Sequence, residues 1–89
     1  MATIHVKTES GFECDINEMV LDDMEVLDYL VAIDDGDSTK YSKFLAKILT
    51  PEAKKALYDY VRTEDGRVPY AALSPEISDI MNSIKNGKN

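Results

Sequence analysis

The spacing of apolar residues changes once along this chain, and the change divides it into a strand pair and a set of helices. Through residue 17 the apolar residues alternate: Ile4 and Val6, then Phe12, Cys14 and Ile16. Beyond about residue 22 they recur at three- and four-residue intervals. Alternation turns one face of a strand toward a core, and the wider spacing does the same for a helix.

The first stretch predicts a β-hairpin over about residues 3–17, and its register follows from the pattern. Pairing Val6 with Cys14 sets Ile4 opposite Ile16 and Thr8 opposite Phe12. The other face then pairs Lys7 with Glu13 and His5 with Asp15. The loop is Glu9-Ser10-Gly11, with glycine at the left-handed position of a bulged turn. A slip of one residue would set Lys7 against Phe12 and spoil both faces. A lone hairpin is marginal in water, so its apolar face must lie on helices.

Four helical segments are expected at about 22–35, 39–49, 51–63 and 69–85, the last with a break near 74. Asp22 and Glu25 have capping-box spacing, and Gly36 suits the residue just past the first helix. Tyr41, Phe44, Leu45, Ile48 and Leu49 form a helical stripe, with Lys40, Lys43 and Lys47 on the opposite face. Thr50-Pro51-Glu52 supplies an N-cap, a first-turn proline and a first-turn acid. The third helix repeats the spacing with Ala53, Ala56, Leu57, Tyr60 and Val61. Glu64-Asp65-Gly66-Arg67 is a turn, and Ser74-Pro75-Glu76 reads as the cap of the last helix. Leu73, Ile77, Ile80, Met81 and Ile84 make that helix's stripe. The tail from Asn86 onward is expected to fray. The fold class is α+β, mostly α: an N-terminal β-hairpin packed on a compact bundle of about four helical segments, in one domain over residues 1–89.

The first helix carries more apolar surface than a surface helix needs. Met24, Leu27, Leu30 and Val31 line one side, and Val26, Tyr29 and Ile33 widen the arc to roughly 220°. Two readings follow. Either this is a central helix wrapped by the hairpin and the other helices, or part of the arc is a docking surface. On the second reading Leu27, Leu30 and Val31 favour the core, and Val26, Tyr29 and Ile33 are the exposed anchors. Asp34 and Asp35 sit at the negative end of the helix dipole, an unfavourable place for acids that marks them as candidate functional residues.

Charge is uneven. Residues 1–37 hold eleven acids and one base, a net −10, whereas residues 38–89 hold nine bases and six acids, a net +3. Such a molecule meets other macromolecules in a preferred orientation. The overall −7 argues against nucleic-acid binding, which needs surplus lysine and arginine. No apolar run reaches the ~20 residues of a membrane span, and the N-terminus lacks the pattern of a secretory signal. The lone His5 and lone Cys14 cannot form a zinc cluster, and the register puts them on opposite faces. Gly66 cannot be the glycine of a calcium loop, because Val61 and Ala72 would then stand at ligand positions. Nothing points to catalysis, a metal or a cofactor. The expectation is a non-enzymatic binding protein, with Lys40, Lys43 and Lys47 as a second candidate contact face.

Three strings carry a family resemblance: Ser10-Gly11-Phe12-Glu13-Cys14-Asp15-Ile16, Leu21-Asp22-Asp23-Met24-Glu25-Val26-Leu27-Asp28 and Asp34-Asp35-Gly36-Asp37. Tyr58 to Pro69 and the helix from Ser74 to Lys85 extend it. In these the chain resembles the small tail assembly chaperones of long-tailed, siphovirus-type phages and prophages of Gram-positive bacteria. The resemblance implies a factor in the cytoplasm of the bacterial host, absent from the mature virion. Its partners would be the long, apolar, helical tape measure protein and the tail tube protein, with self-association as a further expectation and no nucleic-acid or membrane partner. Many such chaperones are made in two lengths by ribosomal frameshifting, and Gly87-Lys88-Asn89 is a string that the slippery codons GGA AAA AAC would encode. The plainer reading of those residues is a solvated tail. The competing class is a small acidic phage or prophage regulator that inhibits a host protein, for example as a DNA mimic.

Overall fold

The computed structural model describes residues 3–86, so the tail at 87–89 and its proposed codons lie outside the described residues. Strands β1 (Thr3–Lys7) and β2 (Glu13–Asn17) form a two-stranded antiparallel sheet among the described residues. The helices are α1 (Met24–Asp34), α2 (Tyr41–Ile48), α3 (Pro51–Val61) and α4 (Tyr70–Lys85). Short 3₁₀ turns at Glu18–Asp22 and Ser38–Lys40 precede α1 and α2. The fold is α+β and mostly α.

The hairpin has the register that alternation demands: Ile4 pairs with Ile16, His5 with Asp15, Val6 with Cys14 and Lys7 with Glu13. Thr8 N–H donates to the Phe12 carbonyl at 2.8 Å, and Gly11 N–H donates to the Thr8 carbonyl at 3.0 Å, closing the three-residue loop. Gly11 has φ +108°, where a β-carbon is strained. A β-carbon there would also meet the Tyr60 hydroxyl at 3.6 Å. Gly11→Val is expected to destabilise by about 1–2 kcal/mol. An unchanged urea midpoint would contradict this geometry. The same loop recurs between α3 and α4. Thr63 N–H donates to Arg67 at 2.8 Å and Gly66 N–H to Thr63 at 3.0 Å, so Thr8-Glu9-Ser10-Gly11 and Thr63-Glu64-Asp65-Gly66 fold alike.

His5 holds both neighbours on the solvent face of the hairpin. Its Nδ1 lies 2.8 Å from Asp15 and its Nε2 lies 2.9 Å from Glu13. Two carboxylate partners require both ring nitrogens to donate, which only the imidazolium does. Hydrogen bonds to Asp15, then to Glu13, accordingly raise its pKa above the ordinary 6.5. A raised folded pKa stabilises fully below the unfolded value and is lost as pH rises through the folded one. The melting-temperature gap between the wild-type protein and His5→Gln should therefore be widest near about pH 5.5 and close in alkali. A gap that widens with pH would refute the pairing.

The helix ends are capped as the sequence suggests, with two differences. Past α1, Gly36 N–H donates to Ile33 at 2.9 Å and Asp37 N–H to Ala32 at 2.9 Å, a Schellman closure around Gly36 at φ +97°. Thr50 caps α3, its hydroxyl accepting from Ala53 N–H at 3.1 Å. The first difference is the start of α1. Asp23, not Asp22, is its cap and accepts from Glu25 N–H at 2.9 Å, because residues 18–22 are already spent in a 3₁₀ turn. The second concerns the break expected near 74. α4 runs unbroken through Pro75, and its N-cap is Pro69. Ser74 is therefore no cap; its hydroxyl meets the Tyr41 hydroxyl at 3.1 Å across the bundle. Proline removes one hydrogen bond near the start of a sixteen-residue helix, which packing compensates.

The core gathers Ile4, Val6, Phe12 and Ile16 from the hairpin with the inner faces of the helices. α2 contributes Phe44, Leu45 and Ile48, followed by Leu49 just past its end. α4 buries Leu73, Ile77, Ile80, Met81 and Ile84, its whole expected stripe. α1 buries only Val26 and Leu30. The central helix is therefore α4, and the reading of α1 as a wrapped central helix is corrected. α3 is peripheral: Leu57 is buried, whereas Ala56 and Tyr60 are exposed.

Candidate functional site

The arc of α1 is divided between core and solvent: Leu30 is buried as the sequence leads one to expect, whereas Val26 is core and Leu27 and Val31 are exposed, the reverse of their expected places. Val26 is 0% exposed and cannot be a surface anchor. Tyr29 and Ile33 are half-buried and pack on the core. The residues left outside are Met24 at 67%, Leu27 at 38% and Val31 at 62%, with Met19 exposed in the preceding turn. At ~100° per residue, Met24, Leu27 and Val31 fall within about 60° of one another and form one ridge.

The phase of the helix had a marker in the sequence. Asp28 and Asp35 fall within about 40° of Met24, on the ridge side. Val26, Tyr29, Leu30 and Ile33 fill a sector of about 100° that contains no acid. Apolar periodicity alone is ambiguous on a wide arc, but the acids mark the side that stays in water.

Ion pairs brace the ridge at both ends. Near its start, Lys47 of α2 reaches Glu25 at 2.8 Å and Asp23 at 3.2 Å. Hydrogen bonds to Glu25 and Asp23 raise the Lys47 pKa, and the Lys47 contact is the leading cause that lowers that of Asp23. Near its end, Asp34 accepts from Lys85 of α4 at 2.6 Å. That contact explains an acid at the negative end of the α1 dipole: a base at the end of a neighbouring helix offsets it. Asp28 and Asp35 make no ion pair among the described residues, so they leave negative charge beside the ridge.

The lysine face is also divided. Lys47 is committed to α1, Lys43 is exposed and Lys40 is half-buried at the end of the 3₁₀ turn. The three do not act as one free patch. Both acidic turns serve the backbone: Asp37 accepts from Thr39 N–H at 3.1 Å, and Asp65 accepts from Arg67 N–H at 3.3 Å as well as from Arg67 Nε at 3.0 Å. Cys14 is half-buried on the core, and burial pushes its thiol up to about 11, which suppresses the reactive thiolate. Among the described residues no group of three or more His, Cys, Asp or Glu is placed to hold a metal ion. None of the helices among them is long and apolar enough to cross a membrane.

No protein-family model, curated protein or solved structure matches the chain.

The arrangement is suited to holding another helix. An apolar ridge about two turns long, with acids beside it, offers burial to an apolar stripe and attraction to flanking bases. Isolated apolar side chains are common on surfaces, but Met24, Leu27 and Val31 lie along one face of one helix.

Proposed function

We propose that this chain is a non-enzymatic tail assembly chaperone of a long-tailed phage or prophage, and that its α1 ridge holds a helical segment of the tape measure protein. The observation that carries the reading is the acid-flanked ridge of Met24, Leu27 and Val31. Its occupant is an amphipathic helix with an apolar stripe and basic flanks. Covering that stripe keeps a long apolar helix soluble, while the chaperone's remaining acids face water. The tail tube protein is a second partner on this reading, and the site of action is the host cytoplasm.

The inhibitor reading is weaker. A DNA mimic needs a row of unpaired acids, and Asp23, Glu25 and Asp34 are paired with lysines of the same chain.

The test is co-expression with the cognate tape measure protein. The wild-type chain should bring it into the soluble fraction, and Val31→Asp should weaken the complex by about tenfold or more. Partner solubility unaltered by Val31→Asp and by Met24→Asp would exclude the ridge.

A further inference from the structure

An open cleft of about 530 Å³ lies between the hairpin loop and the middle of α4, and its wall is rich in acceptors. Glu9, Ser10, Pro75, Glu76, Ser78 and Asp79 line it. Glu9 N–H donates to Asp79 Oδ2 at 2.9 Å, which fixes that carboxylate at the rim. The Ser10 hydroxyl donates to Glu76 Oε2 at 2.7 Å. The Tyr60 hydroxyl is occupied too, donating to the Ser10 carbonyl at 2.8 Å.

Glu76 is only 5% exposed, and its Oε1 is buried with no hydrogen-bond partner. A buried carboxylate oxygen without a donor is unusual, because the group has lost its water. Ser10 has one hydroxyl proton and spends it on Oε2. Among the described residues no lysine or arginine pairs with Glu9, Glu76 or Asp79. The cleft thus combines three acids, an orphan oxygen and no cation.

We infer that this cleft receives the guanidinium of an arginine side chain from a protein partner. The three acids are not gathered around one point as metal ligands are. Separated carboxylates suit a planar fork whose five donors reach several acceptors at once. Pro75 offers an apolar ring on which the arginine stem can lie. The inference is independent of the α1 ridge, since it uses none of its residues.

The test is a ¹⁵N–¹H titration of the full chain with the peptide Ac-Gly-Arg-Gly-NH₂, beside the same peptide with citrulline, the neutral isostere. The arginine peptide should shift the amides of Glu9, Ser10 and Asp79 saturably, and the citrulline peptide should bind at least tenfold more weakly. Glu76→Gln should weaken arginine binding at least tenfold, and Val31→Asp should leave it unaltered. Should Glu76→Gln fail to fold, Asp79→Asn, at a half-buried position, carries the same comparison. Equal binding of both peptides, no saturable shift, or arginine binding indifferent to these variants would overturn the assignment. Stoichiometric displacement of the peptide by calcium chloride would make the cleft a divalent-cation site and overturn it equally.

Discussion

Val26→Asp is expected to unfold the domain, while Val31→Asp on the same helix leaves it folded. Val26 is 0% exposed and Val31 is 62% exposed. A carboxylate at position 26 would be buried among apolar side chains, a penalty of several kcal/mol even after its pKa adjusts. The domain has little to set against that: at ~0.05–0.15 kcal/mol per residue, a chain of this length is stable by on the order of 4–13 kcal/mol. At position 31 the new carboxylate stays in water, and exposed substitutions usually change stability by less than about 0.5 kcal/mol. Circular dichroism melts of the two variants decide the matter. The reverse outcome would mean that α1 is rotated by half a turn, and the ridge would then be core.

That experiment falls on the element that sequence patterning resolved least well, and the reason is physical. Hairpin register was legible because period-two patterning and a left-handed glycine both constrain it. Ile4, Val6, Phe12 and Ile16 are all buried, and Gly11 takes the positive φ that the loop demands. The stripes of α2 and α4 were legible for a similar reason, since each has one narrow apolar face. On α1 the apolar arc is wide, so period alone left its rotation open. Asp28 and Asp35 held the answer, but only when read as markers of water. Other features depended on partners remote in sequence. Asp34 meets Lys85, Ser74 meets Tyr41 and Glu76 lies under the hairpin loop, contacts that span 51, 33 and 66 residues. Local propensity assigned Ser74-Pro75-Glu76 to a helix start, and the bundle overrode it by packing residues on both sides of Pro75.

Phe44→Ala is expected to destabilise the domain by about 3–5 kcal/mol, the usual range for truncating a buried phenylalanine. Phe44 is the largest of the fully buried side chains. Its effect should lie near the top of that range because of where it sits. α2 has eight residues, too few to persist as a helix without tertiary contacts. Phe44, Leu45 and Ile48 supply those contacts, and the Tyr41 ring, stacked on Tyr70 at 5.7 Å, adds one at the end of α2 where the helix begins. Loosening α2 also withdraws Lys47 from Asp23 and Glu25, so the α1 ridge loses its brace at the same time. Phe44→Leu keeps most of the volume and should lose less than about 1.5 kcal/mol. In urea, with a slope of about 1–1.5 kcal/mol per molar for a chain this small, the alanine variant should unfold some 2–5 M earlier than the wild-type protein. A loss below about 1 kcal/mol would show that Phe44 does not fill the core. A large loss with α1 still binding the proposed partner helix would show that the ridge stands without α2, and the Lys47 brace would then have no part in binding.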